Sequence, residues 1–235
     1  MQLFLSDLHL ESEHSRAFSG LRALLQAERD RCNAIYFLGD LVEVWVGDDD
    51  DGPLAQALIN LLAETAEHCP VFIMHGNRDF LFGSQFCELS RAALLTDPTL
   101  IDQRTLLAHG DAFCTDDDKY QNVRAMFRSS AWQTQILSQS LSDRRALALT
   151  MRSQSRAENA NKAANIMDVN QNEVARAMRR TGASILIHGH THRPGVYHHD
   201  WGTRYVLGAW ERCGWLLRRR AGQFQLECFR LPHAD

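Results

Sequence analysis

No two of the six cysteines in this chain stand in a Cys-x-x-Cys pair. Cys32, Cys69, Cys87, Cys114, Cys213 and Cys228 are scattered instead, which excludes a zinc ribbon and predicts reduced core thiols in a cytosolic protein. No apolar run approaches the ~20 residues that a membrane-spanning helix needs. A secretory leader is not expected either, because Met1 runs straight into Leu3-Phe4-Leu5 and the acidic Asp7 follows at once. There are no internal repeats and no low-complexity segments. What remains is an ordinary globular composition: 235 residues, 45% hydrophobic and 23% charged, enough for one large domain or a domain carrying an insertion.

The formal net charge of −4 conceals an uneven spread. Residues 1–118 carry seven Lys/Arg against 21 Asp/Glu, a balance of −14. Residues 119–180 carry eleven against four, or +7, and residues 181–235 carry seven against four, or +3. One reading is an acidic face beside a solvated basic face. The sharper one is an acidic, cation-binding half facing a basic lobe that meets an anionic partner.

Four apolar runs read as buried strands: Gln2–Ser6, Ala34–Leu38, Val71–His75 and Leu106–His109. Between them, Ser15–Cys32 and Leu54–His68 carry leucines three or four apart and read as helices. This alternation predicts βαβ units around a largely parallel sheet. Ser184–His188 reads as a fifth strand. The runs Val196–His199, Thr203–Ala209, Cys213–Arg219 and Gln223–Arg230 then predict antiparallel strands that close the domain. Residues 119–181 differ. They contain neither proline nor glycine and space Tyr120, Val123, Met126, Phe127, Trp132, Ile136 and Leu137 as helices do. A helical insertion of that length between two strands is expected to be a lid on a domain formed by 1–118 and 182–235.

Each of the first five predicted strands ends in a short polar motif. Asp7-Leu8-His9 follows the first, Gly39-Asp40-Leu41-Val42-Glu43 the second and Gly76-Asn77-Arg78-Asp79 the third. His109-Gly110-Asp111 follows the fourth, and Gly189-His190-Thr191-His192 the fifth. Singly these are weak signals, since a lone Gly-Asp is a turn and a lone Asp-x-His is nearly always structural. Together they are hard to obtain by accident, because ligands of open α/β sheets bind outside the carboxyl ends of the strands, where these loops converge. Carboxylate, imidazole and amide oxygen suit divalent manganese, iron or zinc.

The five motifs in this order resemble the calcineurin-like metallophosphoesterase superfamily, over almost the whole chain apart from the insertion. The resemblance implies an α/β fold, a two-sheet α/β/β/α sandwich with a helical lid insertion. It also implies two metal ions, one held by Asp7, His9, Asp40 and His192 and the other by Asp40, Asn77, His109 and His190. Asp40 would bridge them. Ions ~3.5–4 Å apart clamp both oxygens of an in-line phosphoryl displacement and activate water as the nucleophile. Many members read Gly-Asn-His-Asp where this chain has Gly76-Asn77-Arg78-Asp79. Arg78 is always charged and cannot act as an acid at neutral pH, but it can hold a second phosphate bidentately.

Further runs narrow the resemblance. Gly39 to Asp50, Cys114-Thr115-Asp116-Asp117, Ile166-Met167-Asp168-Val169-Asn170 and His188 to Pro194 are similar to the UDP-2,3-diacylglucosamine hydrolase family of lipid A synthesis. That implies two Mn²⁺ ions and cleavage of UDP-2,3-diacylglucosamine to UMP and 2,3-diacylglucosamine 1-phosphate. Activated water would attack the α phosphorus. Asp40, Asn77, Arg78 and His190 would be catalytic, and Asn77, Arg78, Asp117, Ser155, Asn159, Lys162 and His190 would contact substrate. The expected location is the cytoplasmic face of the inner membrane, as a peripheral protein, with no role for nucleic acid. Met126, Phe127, Trp132, Ile136, Leu137 and Leu141 would line an acyl chamber, each buried CH₂ contributing ~0.8 kcal/mol. Arg124, Arg128, Arg144, Arg145 and Arg152 would meet anionic headgroups. The competing readings are a generic phosphomonoesterase or phosphodiesterase, which would need no apolar chamber, and a non-catalytic scaffold, which would be expected to have lost ligands.

Overall fold

The strand β1 (Gln2–Leu5) is buried on both sides, and its side chains alternate between two apolar environments. Leu3 and Leu5 join one core with Ile35, Phe37, Val71 and Ile73, while Phe4 joins another with Leu38, Met74, Leu107 and Ile187. A strand enclosed on both faces reads as a continuous apolar run, as these do. The computed structural model that shows this describes residues 1–159 and 168–232, with side chains to 154 and from 168.

The chain continues through α1 (Arg16–Glu28), β2 (Ala34–Leu38), α2 (Pro53–Ala66), β3 (Val71–Met74), α3 (Ser84–Ser90), β4 (Ala93–Leu95), β5 (Thr99–Leu100) and β6 (Thr105–Leu107). Next come α4 (Asp118–Phe127), α5 (Ser130–Leu137), α6 (Leu141–Asn159) and α7 (Gln171–Thr181). The strands β7 (Ile185–His188), β8 (Gly195–His199), β9 (Gly202–Val206), β10 (Cys213–Arg220) and β11 (Gln223–Arg230) complete it. One sheet runs β11-β10-β1-β2-β3-β4 and the other β5-β6-β7-β9-β8. Phe4, Leu38 and Met74 from the first meet Leu107 and Ile187 from the second in the central core. Helices α1, α2 and α3 cover the outer face of the first sheet through Phe18, Leu21, Leu58, Leu62 and Phe86. The expected two-sheet sandwich with outer helices is therefore the observed architecture.

Three local expectations need correction. Four closing antiparallel strands were expected, and the β8–β9, β10–β11 and β1–β10 pairs do run antiparallel, but β9 also pairs parallel with β7, register Ile185↔Thr203. The helix expected over Ser15–Cys32 tightens into a 3₁₀ turn at Arg29–Arg31. The 119–181 span does not pack as one unit: α7 places Val174, Ala177 and Met178 in a core with Leu106, Ala108 and Leu186, so it is the outer helix of the second sheet.

Helices α4, α5 and α6 lie over the strand ends. Asp117 caps α4 by accepting from Tyr120 N at 3.1 Å, and Ser129 caps α5 by accepting from Trp132 N. The five arginines expected at lipid headgroups instead engage the acidic loops beneath the lid. Arg124 donates to Asp111 at 2.7 Å, and Arg128 donates to the Gly76 carbonyl at 2.8 Å. Arg144, 4% exposed, reaches Asp49 and the Val46 carbonyl; Arg145 reaches Asp50 and Asp51; Arg152 reaches Glu11 and Glu43. The charge asymmetry of the chain is thus largely an internal complementarity between lid and base.

Candidate metal centre

The loops after β1, β2, β3, β6 and β7 converge above the strand ends, as the motif positions require. Asp7, His9, Asp40, His190 and His192 all have positive φ, between 47° and 65°. Non-glycine residues seldom adopt that left-handed conformation, and it concentrates at functional loops. Close backbone approach explains two glycines here. A Cβ on Gly76 would fall 2.1 Å from Asp40 Oδ1, and one on Gly189 would fall 2.1 Å from Asp7 Oδ2.

On one side of the cluster stand Asp7, His9 and His192, whose ligand atoms lie within 4.8 Å of one another. His192 Nε2 is 3.3 Å from Asp7 Oδ1 and 3.2 Å from His9 Nε2. Asp7 Oδ2 accepts from His190 N at 2.9 Å. On the other side, His109 Nε2 lies 3.0 Å from Asn77 Oδ1 and 3.8 Å from Asp40 Oδ1, and His190 Nδ1 lies 2.9 Å from the same Asn77 oxygen. The Nδ1 of His109 faces the Leu38 carbonyl at 2.8 Å, which leaves Nε2 for the cluster. Asp40 stands between the two sides, 3.9 Å from His9 through Oδ2. The structure therefore brings Asp7, His9, Asp40, Asn77, His109, His190 and His192 together.

Two observations test whether these residues suit divalent cations. Among the described residues, buried Asp7 Oδ1 accepts no hydrogen bond and has only the ion-pair approaches of His192 at 3.3 Å and His9 at 3.9 Å, an expensive arrangement for a carboxylate oxygen unless something else engages it. The surplus of carboxylates also demands positive charge. Burial pulls His9 down, but Glu43, Asp40 and Asp7 outweigh it and raise its pKa to about 9. His109 behaves alike: burial opposes its charge, yet Asp40, Asp111, Asp7 and Asp97 raise it to about 9. Burial pushes Asp7 up, and His192, His109 and His9 overcome this to hold it well below the usual carboxylate range. His190 is pulled down to about 4, first by burial and then by His109. The donor set fits two borderline-hard divalent ions.

Three acidic residues of the motifs had no role assigned from sequence. Asp79 is fully buried and ties two loops together, accepting from Leu41 N and Gly76 N, each at 2.7 Å. Burial and the Asp40 charge push it up to about 6. Asp111, also fully buried, accepts from Tyr120 Oη and Arg124 Nε at 2.7 Å and so anchors α4. Glu43 stands 2.8 Å from His9 Nδ1. The family-specific segments also meet: Asn170 donates to Asp116 at 2.7 Å, and Asp168 pairs with Arg193 at 2.8 Å.

A cavity of about 840 Å³ opens between the cluster and the lid. Its lining includes Asn77, Arg78, Asp117 and His190, the apolar side chains Phe80, Met126, Phe127, Trp132 and Ile136, and the lid arginines Arg124, Arg128, Arg144 and Arg152. Phe127 and Trp132 pack with ring centroids 4.6 Å apart, and Phe80 stacks on Phe127. Leu137 and Leu141, expected in this wall, are not among its lining residues. Arg78 donates its backbone N–H to Asp40 Oδ1 at 2.8 Å, while its buried Nε has no hydrogen-bond partner among the described residues. Ser155 and Asn159 fall on α6 beyond the last described side chain, and Lys162 lies outside the described residues.

The calcineurin-like phosphoesterase family model matches residues 2–194. A UDP-2,3-diacylglucosamine hydrolase of Cellvibrio japonicus is 42% identical over 223 residues, covering 92% of this chain and 93% of that protein. The enzyme of the same name from Chromobacterium violaceum is 44% identical over 220 residues, covering 91% and 93%. Among solved structures, a novel archaeal phosphodiesterase superposes with a TM-score of 0.51 at 11% identity, covering 97% of this chain and 99% of that one. That last likeness concerns the fold alone.

Proposed function

The chain belongs to the calcineurin-like phosphoesterase family and, within it, to the UDP-2,3-diacylglucosamine hydrolases, and from that membership we propose that it cleaves the pyrophosphate of UDP-2,3-diacylglucosamine. The products are UMP and 2,3-diacylglucosamine 1-phosphate, on the route to lipid A. The observation that carries this reading is the cavity itself. Its lining combines Arg78, Asn77 and His190 at the acidic cluster with the aromatic group of Phe80, Phe127 and Trp132. A diphosphate joined to acyl chains needs both kinds of surface, whereas a small phosphomonoester needs only the first.

In this reading Asp7, His9, Asp40 and His192 would hold one Mn²⁺, and Asp40, Asn77, His109 and His190 would hold the other. Two such ions supply positive charge at the reacting phosphorus and lower the pKa of water. The chain's own residues do the rest. Arg78 is permanently charged, and its Nε, without a hydrogen bond among the described residues, suits it to grip the departing phosphate as a bidentate donor. The leaving group is a sugar phosphate of low pKa, so no acid is needed at that position. The aromatic wall excludes water from the acyl chains. From the resemblance, Ser155, Asn159 and Lys162 are assigned to the diphosphate and sugar. Exposed Val123, Met126 and Leu149 on α4 and α6 support peripheral contact with the inner membrane.

Hydrolysis of the UDP-diacylated sugar in ¹⁸O-labelled water, with and without Mn²⁺, tests the reading. UMP should carry the label, and chelation should stop turnover. Label in the sugar phosphate would reverse the assigned polarity. A higher kcat/KM for a small phosphomonoester or cyclic nucleotide would return the protein to the generic phosphoesterases.

A further inference from the structure

We infer that Arg152 of the lid is a positioning residue for His9, acting through Glu43. The inference rests on the metal-site reading above and concerns how one of its histidines is held. His9 turns its two ring nitrogens to different partners. Nε2 faces the cluster, 3.2 Å from His192 Nε2 and 3.9 Å from both Asp7 Oδ1 and Asp40 Oδ2. Nδ1 faces Glu43 Oε2 at 2.8 Å. A neutral imidazole that offers its Nε2 lone pair to a cation must keep its proton on Nδ1, and a carboxylate at Nδ1 fixes that tautomer and the ring's orientation.

Glu43 needs a holder of its own. Its backbone is fixed, because its N–H donates to the Leu10 carbonyl at 3.0 Å. Its carboxylate is nearly buried and stands 2.8 Å from Arg152 Nε through Oε1. Among the described residues, each Glu43 oxygen therefore makes one close ion-pair contact, Oε2 with His9 on the base side and Oε1 with Arg152 on the lid side. The other arm of the guanidinium, Nη2, reaches Glu11 at 2.5 Å. A single side chain of α6 thus spans the loop bearing Asp7 and His9 and the loop bearing Asp40 and Glu43. Arg152 stands three residues before Ser155 on the same helix, so the seating of α6 sets the His9 ring along with that end of the lid.

Binding of Mn²⁺ to the full-length protein without substrate, followed by the electron paramagnetic resonance of the free ion, separates this role from simple adhesion. Glu43→Ala should weaken one of two sites by about ten- to a hundredfold, the usual effect of removing a carboxylate behind a ligating histidine. Arg152→Ala should weaken the same site several-fold, and Arg152→Lys less. The double variant should match Glu43→Ala alone, because the path runs through Glu43. Glu43→Gln keeps an acceptor for Nδ1–H but no charge for the guanidinium, so it should hold Mn²⁺ better than Glu43→Ala and respond little to a further change at Arg152. Unchanged Mn²⁺ affinity in Arg152→Ala with a raised KM would make Arg152 a substrate contact and overturn the inference. Additive losses in the double variant would overturn it as well. A wild-type protein that bound no Mn²⁺ would instead overturn the metal reading on which the inference stands.

Discussion

Arg144 of α6 and Asp49 of the loop after β2 form a two-pronged ion pair, with Nη1 to Oδ1 at 2.8 Å, and the same guanidinium donates to the Val46 carbonyl at 2.6 Å. A residue of the lid is thereby fixed inside the base, in the stretch that leads on from Gly39 and Asp40. Much of the lid's attachment is of this polar kind.

Removal of that anchor should be measurable. Arg144→Ala should lower the urea unfolding free energy by about 2 kcal/mol, the scale of charge-assisted hydrogen bonds. The larger penalty for stranding a buried charge does not apply, because the Asp49 left behind is 60% exposed and rehydrates. Arg144→Lys should recover only part, since an ammonium cannot make the forked contact. A full recovery would mean that charge alone matters here.

The same pair carries a pH dependence. Hydrogen bonding and charge from Arg144 hold the Asp49 carboxyl below its ordinary value despite some desolvation. A carboxyl depressed on folding contributes stability that is present above its unfolded pKa, ~4, and lost as pH falls through the lower folded value. The stability gap between wild type and Asp49→Asn should therefore be full at pH 6 and shrink at pH 3. An equal gap at both values would exclude Asp49 as its source.

At the centre, Asp40 is 2% exposed, lies between the two sides of the cluster and accepts the Arg78 N–H. Asp40→Ala should lower metal content from two ions per chain to one or none and remove most of the turnover, because the two-ion clamp needs both sites filled. Elemental analysis alongside kinetics checks both. Two retained metals with near-normal turnover would remove the bridging role.

Trp132 offers a test of the cavity's aromatic lining. If acyl chains lie against Phe127 and Trp132, kcat/KM should rise with chain length by at most roughly fourfold per CH₂, the equivalent of ~0.8 kcal/mol. Trp132→Ala should flatten that slope while leaving hydrolysis of a small artificial diester nearly unchanged. Identical slopes in wild type and variant would place the chains elsewhere.

The fold was legible where burial writes itself into consecutive residues. Ala34–Leu38 and Gln223–Arg230 were bounded to the residue, one a fully buried run and the other an alternating one. The two-residue β5 and the mostly exposed β4 carry no such signature, and the parallel pairing of β9 with β7 is a non-local choice that its own residues do not encode. The seven histidine, carboxylate and amide positions of the site were visible because each sits in a turn at a strand end. Asp79 and Glu43 stood in the same motifs, yet their work depends on partners 38 and 34 positions away in the chain and on burial that local spacing cannot express. The lid arginines were misread for the same reason. A basic stretch names a charge without naming its counterpart, and here the counterpart is the acidic half of the chain.

The left-handed backbone at Asp7, His9, Asp40, His190 and His192 means that a substitution there meets two separate filters. Valine or isoleucine fails the first, because a β-branched side chain resists positive φ. Glycine and asparagine pass it with ease, and glycine releases torsional strain of order 1 kcal/mol, though it adds freedom to the unfolded chain. Both fail, or nearly fail, the second filter, which asks for an ionised or imidazole donor. Folding and chemistry are thus separable at this centre, and a drifting lineage could lose the chemistry while keeping, or even strengthening, the fold.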